Sequence, residues 1–192
     1  MLILASTSPR RKELLESVGF RFYLTKPNFD EATLDVSKLK VEDYVLQLAL
    51  AKATSVFNEY PEDVVLAADT IVVLGHEVIG KPKDENDAVA ILKKLAGKTH
   101  QVYTAVYIIS KENQTGFVEV SNVTFKPMSD EDILAYVATK EPMDKAGAYG
   151  IQGYGSQYVE GYDGDFHTIM GLPLKRVIAS LKDFGIRPES AE

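Results

Sequence analysis

The apolar tetrad Leu2-Ile3-Leu4-Ala5 passes through Ser6-Thr7-Ser8 straight into Pro9-Arg10-Arg11, and this junction constrains the fold more than any other stretch of the chain. Ser8 suits a helix N-cap, Pro9 the first helical position and Gly19 the C-terminal stop. A strand therefore feeds directly into a helix whose first turn carries two guanidiniums. The amino end of a helix bears about half a positive charge and favours acidic side chains, so paired arginines have the wrong sign there unless an anion sits among them. Solvated surface arginines are the ordinary alternative. The helix phase weighs against it. Arg11, Leu14, Leu15 and Val18 share one face, so Arg11 ends the apolar stripe and is aimed at the strand's carboxyl edge, while Arg10 points to a neighbouring flank. First-turn N–H groups, the Ser6 and Ser8 hydroxyls and a rigid guanidinium fork make a site suited to phosphate.

A chain of 192 residues, 45% hydrophobic, can bury a core as one domain or as one domain with a small second lobe. Its net charge of −7 argues against a sequence-independent nucleic-acid binder, which normally presents a basic face. There is no cysteine, which excludes disulfides, thiolate nucleophiles and cysteine-held zinc and leaves nothing that points to an oxidising compartment. Met1 to Ala5 is too short for a signal-peptide core, and no segment approaches the length of a membrane span. The expectation is a cytoplasmic protein with neither nucleic acid nor membrane as partner.

The pattern along the chain predicts a mixed α/β protein without internal repeats. A strand is expected around Phe20 to Leu24, then an acidic bend at Asn28-Phe29-Asp30-Glu31 and a long helix from Val41 to Phe57. Val64 to Ala68 reads as a buried strand continued by Thr70 to Leu74, and Gly75-His76 as a hairpin turn into Glu77-Val78-Ile79. Asp84 can cap a helix with the face Ala88, Ile91, Leu92 and Leu95, stopped by Gly97. Gln101 to Ser110 and Gly116 to Lys126 alternate like antiparallel strands, and Ser129 with Asp132 has the capping-box pattern of a helix through Thr139. The glycine-punctuated stretch Gly147 to Gly155 leads toward a strand pair near Tyr158 and His167. Pro173 starts a last helix, and the tail after Arg187 is expected to be loose. Residues 84–139 are a candidate smaller lobe. No linker-like composition marks a boundary, so the expectation is a single domain, 1–192, with a cleft between two lobes.

Asp69 interrupts the otherwise apolar runs Val64-Val65-Leu66-Ala67-Ala68 and Ile71-Val72-Val73-Leu74. Aspartate is seldom buried without a partner, and a carboxylate at the carboxyl end of an α/β strand commonly lies at the ligand crevice. The structural alternative is a turn cap, or a lysine partner that merely satisfies it. Lys52 falls on the buried stripe Val45, Leu48, Ala49, Val56, where a long stem can still snorkel to water. Lys81, between Gly80 and Pro82, is held extended by the proline. With Arg10 and Arg11 these lysines supply the cations a polyanion needs. Asp30 and Glu31 add carboxylates, and since magnesium normally binds through one or two carboxylates plus substrate phosphates, Asp69 with Glu31 would suffice for a metal–triphosphate complex. His76, His100 and His167 lack ligand spacing and read as structural. A Gly-x-x-x-x-Gly-Lys-Ser/Thr loop is absent, and Gly147, Gly150, Gly153 and Gly155 do not match the dinucleotide fingerprint. Asp69-Thr70-Ile71 lacks the second acid of an aspartyl-phosphate phosphatase. A glycine-rich loop carrying one amide, Gln152, can approach a flat ring closely and offer its edge both a donor and an acceptor. A plain flexible turn is the alternative.

Ser-x-Ser-Pro-Arg-Arg at 6–11, Ala-Asp-Thr at 68–70, Gly-Lys-Pro at 80–82 and Asp-Lys-Ala-Gly-Ala-Tyr-Gly-Ile-Gln-Gly at 144–153 together resemble the Maf family, in order from Leu2 to about Arg187. The resemblance implies a Maf/Ham1-like α/β fold, a mixed sheet with flanking helices, and pyrophosphohydrolysis of nucleoside triphosphates with a divalent cation, Mg²⁺ or Mn²⁺. It implies Asp69 as catalytic proton acceptor, and Arg10, Thr70 and Gln152 as the positions governing base selection. Ser6, Arg11, Glu31, Lys52 and Lys81 become the phosphate and metal shell, with Glu31 and Asp69 as metal ligands. The 146–153 stretch is similar to the branch acting on dTTP and UTP. Glu160 departs from the pattern, standing where a basic residue is expected. A homodimer is a further family-level expectation. The rival expectation is a nucleotide-binding regulator of septum formation that does not hydrolyse its ligand.

Overall fold

Leu2–Ala5 forms strand β1, and all four residues are buried, as suits a parallel strand covered on both faces. The computed structural model describes residues 1–30 and 39–189. After β1 come α1 (Pro9–Ser17), β2 (Phe22–Leu24), α2 (Val41–Phe57), β3 (Val64–Leu74), β4 (Glu77–Ile79), α3 (Glu85–Leu95), β5 (Thr99–Ile109), β6 (Gln114–Phe125), α4 (Asp130–Ala138), β7 (Val159–Asp163), α5 (Phe166–Met170) and α6 (Leu174–Lys182). Short 3-10 turns occupy Glu141–Asp144, Ala146–Ala148 and Gly153–Tyr158. Among the described residues the strands form one mixed seven-stranded sheet in the order β2-β1-β3-β5-β6-β7, with β4 paired to β3. The protein is therefore mixed α/β with flanking helices.

The chain divides into two compact units, Met1–Asp69 with Thr104–Glu119 and Gly171–Glu192, and Thr70–Tyr103 with Val120–Met170. In the first, β1 runs parallel to both β2 and β3, with Leu4 opposite Leu24 on one side and Leu66 on the other. Ala53 and Val56 of α2 pack with Ile3, Ala5, Val65 and Ala67, where the small alanines let the helix lie close to the strands. Ser8 caps α1 by accepting from the Arg11 N–H. At its other end Phe20 N–H bonds Leu15 O and Gly19 N–H bonds Glu16 O, with Gly19 at φ +88°, the left-handed termination that favours glycine. Phe20 thus belongs to the helix end, and the strand starts at Phe22 rather than Phe20. The chain beyond Arg187 is also tied down as far as Glu189, which donates its N–H to Gly19 O at 2.9 Å and pairs with Arg21 Nε at 3.1 Å.

The second unit has its own core, in which Ala88, Ile91, Leu92 and Leu95 of α3 pack with Val72, Val102, Val123, Phe125, Ile133, Tyr136 and Val137. Asp84 caps α3 through the Asp87 N–H, and Ser129 with Asp132 closes a complete capping box on α4. The expected strand pair near Tyr158 and His167 is half present. Tyr158 leads into β7, which pairs with β6, whereas His167 lies on α5. Asp165 decides this, because its carboxylate accepts from both the N–H and the hydroxyl of Thr168 at 2.9 and 2.8 Å and so starts a helical turn.

Candidate active site

The parallel register sets Leu4 opposite Leu66 and Ala5 opposite Ala67, so Ser6, where β1 ends, lies beside the middle of β3, and Asp69 stands two residues past Ala67 within that strand. From β1 the chain continues through α1 to β2, while β3 flanks β1 on the opposite side. The edge between β1 and β3 is thus a topological switch point, where open α/β sheets bind ligands.

Three of the residues expected at a phosphate site converge on Asp69 or on one another at this edge. Lys52 projects from the buried stripe of α2 and places Nζ 2.7 Å from Asp69 Oδ2, the two side chains being 19% and 12% exposed. Pairing explains how α2 and β3 tolerate charged groups among apolar neighbours. Arg11 donates from Nη1 to Ser6 Oγ at 3.1 Å and from Nε to the Gly171 carbonyl at 2.8 Å. Burial lowers the Arg11 pKa from its ordinary value, the Asp69 charge opposes that shift, and adjacent Arg10 adds to it. A guanidinium stays protonated throughout. Ser6 Oγ accepts from the Ser8 N–H as well, at 3.1 Å. Both acceptor positions of the hydroxyl are then occupied, so what Ser6 has left to offer is its proton, which suits an anion. Arg10 is half-buried.

The remaining residues expected at the site belong to the second unit. Thr70 directly follows Asp69 on β3 and is half-buried, Lys81 is exposed beside buried Pro82, and Gln152 is exposed just before the 3-10 turn at Gly153–Tyr158. Two of the motifs meet here. Gly147 donates its N–H to Gly80 O at 3.1 Å, and a Cβ on Gly147, at φ +74°, would come 2.8 Å from Val72 Cγ2. The Gly-Lys-Pro loop and the glycine segment are thereby fastened together against β3. Glu31 lies outside the described residues.

His100 is structural. Its Nε2 shares a 2.7 Å hydrogen bond with the Tyr149 hydroxyl, inside a cluster of edge-on rings completed by Phe125. Burial holds its pKa down at about 4, so it is neutral near pH 7. The Gly171 carbonyl went unread in the sequence. Gly171-Leu172-Pro173 signals only the start of α6, and which carbonyl meets Arg11 depends on where that turn falls in three dimensions.

Fold and site define a class: a mixed α/β protein with an arginine-bearing strand–helix junction at a switch point and a lysine-paired carboxylate beside it. The same fold is seen in a HAM1 protein from Coxiella burnetii, which matches at a TM-score of 0.50 and 13% identity over 95% of this chain and 98% of that one. Residues 1–184 match the Maf-like protein family, and the chain belongs to that family. It is 51% identical over 189 residues to a dTTP/UTP pyrophosphatase of Acholeplasma laidlawii, covering 98% of this chain and 99% of the relative. It is 46% identical over 185 residues to a dTTP/UTP pyrophosphatase of Bacillus cereus (strain AH820), covering 96% of each.

Proposed function

We propose that this protein is a nucleoside triphosphate pyrophosphatase that hydrolyses dTTP and UTP to the nucleoside monophosphate and diphosphate. The observation that carries the reading is the Lys52–Asp69 pair with Arg11 near the carboxyl end of β1, beside β3, in a chain 51% identical to a relative of that name. Asp69 accepts the proton of a water that attacks the α-phosphorus. The bond from that phosphorus to the bridging oxygen breaks, and diphosphate leaves with the electron pair. Arg11 and Lys52 offset the charge that grows on the leaving group, and Ser6 donates to a phosphate oxygen. Lys81 takes part in the same phosphate shell, while Arg10, Thr70 and Gln152 govern the base. Asp69, with Glu31, would hold a divalent cation. Hard carboxylate oxygens suit Mg²⁺ or Mn²⁺ arriving on a triphosphate, and the ion supplies charge neutralisation there.

The two relatives named dTTP/UTP pyrophosphatase, at 51% and 46% identity over nearly the whole chain, favour hydrolysis over the septum-regulator reading. Among the described residues no helix is long and apolar enough to cross a membrane. A cytoplasmic homodimer completes the proposal, and sedimentation of the purified protein tests its oligomeric part. For the reaction itself, purified protein with dTTP and Mg²⁺ should release diphosphate and dTMP. Asp69→Asn should slow release by about 10²- to 10⁴-fold; release at the wild-type rate by that variant would remove Asp69 as the base.

A further inference from the structure

Gly150, Gly153 and Gly155 surround one carboxylate and one phenol. Glu141 Oε2 accepts from the Gly155 N–H at 3.1 Å, and the Tyr136 hydroxyl accepts from the Gly150 N–H at 3.1 Å. Burial pushes the Tyr136 phenol pKa up, the Gly150 N–H opposes that shift and the nearby Glu141 charge adds to it. The glycines leave no room for anything else. A Cβ on Gly153, at φ +72°, would lie 2.5 Å from Glu141 Oε1, and one on Gly155 would lie 2.5 Å from the Tyr136 hydroxyl. Glu141 is itself fixed at the start of a 3-10 turn: its N–H donates to Thr139 Oγ1 at 3.2 Å, and its carbonyl accepts from Lys145 Nζ at 2.8 Å. Gln152 sits inside this wrapped segment.

We propose that Glu141, with Tyr136, is a positioning residue for base recognition: it holds the 150–155 turn in the one attitude that presents Gln152 to the nucleobase. The inference rests on the base-reading role given above to Gln152. Neither side chain acts on the substrate. Each satisfies a backbone N–H that would otherwise let the turn swing, and an amide can tell the 4-oxo edge of thymine from the 4-amino edge of cytosine only if its own orientation is fixed.

The test compares wild type, Glu141→Ala, Glu141→Gln and Gln152→Ala by hydrogen exchange over residues 147–155 and by the ratio of kcat/KM for dTTP to that for dCTP. Glu141→Ala should speed exchange at Gly155 by about tenfold or more, as expected for loss of a hydrogen bond to a charged acceptor. It should lower the dTTP preference toward that of Gln152→Ala, chiefly through KM, and Glu141→Gln, which keeps an acceptor, should restore most of both. Wild-type exchange in Glu141→Ala overturns the proposal. So does faster exchange with the preference intact where Gln152→Ala has lost it. A preference intact in both variants overturns the Gln152 reading itself, and the positioning role falls with it. Should Glu141→Ala fail to fold, Tyr136→Phe removes only the hydroxyl that accepts from Gly150, and the same outcomes are read with exchange at Gly150 in place of Gly155.

Discussion

Lys52 and Asp69 are each awkward alone and compatible together. Removing one charge leaves the other poorly solvated, which costs about 3 kcal/mol or less for a pair that keeps some contact with water. Lys52→Met, which retains the apolar stem, should therefore lower stability by about 2 kcal/mol in urea melts. The double variant Lys52→Met, Asp69→Asn should recover most of that while remaining inactive, separating the energetic role of the pair from its chemical one. His100 gives a second prediction. Its folded pKa of about 4 lies below the ordinary histidine value near 6.5. Above pH 6.5 both states are neutral at this ring and it contributes no pH dependence. Between pH 6.5 and 4 only the unfolded chain binds the proton, so stability falls through that window by about 3 kcal/mol in all. Buffer-matched urea melts of wild type and His100→Phe should show the histidine-dependent slope only in wild type. From sequence, His100 was legible as structural because no ligand spacing surrounds it, whereas its Tyr149 partner, far along the chain, was not.

At the scale of elements, the end signals were the most faithful. Ser8, Asp84 and the Ser129–Asp132 box each cap the helix they announce, because a cap is a contact between residues a few positions apart. Where an element's fate rested on a neighbouring motif the pattern misled. Phe20 was claimed by the end of α1 and His167 by the turn that Asp165 begins. The element that contributes most to the proposed site is the α1 junction, whose Arg11 guanidinium donates to the Gly171 carbonyl at 2.8 Å. Gly171 has φ +113°, a conformation in which any side chain is strained by about 1–3 kcal/mol. Gly171→Ala should lower Tm and raise KM for dTTP several-fold as Arg11 loses its fixed partner. An unchanged KM would show that the Gly171 carbonyl is not what orients it.

For the whole molecule, binding and folding are linked. A non-hydrolysable dTTP analogue at about a hundred times its Kd should stabilise the native state by about 2.7 kcal/mol, a Tm rise of about 5–10 °C for a chain of this size. A dGTP analogue at the same concentration should give a smaller rise if base selection works as proposed. The sequence by itself determined the mixed α/β character, the caps, the apolar faces and which charged residues were out of place, since propensity, periodicity and burial cost are local properties written in short stretches. Only the tertiary structure decided that Lys52 would meet Asp69, that Gly171 would aim Arg11, and that Glu141 would gather the glycine turn around its carboxylate. Those contacts join residues far apart along the chain, and strand register with helix packing, rather than any local preference, determines which distant atoms come within hydrogen-bonding distance.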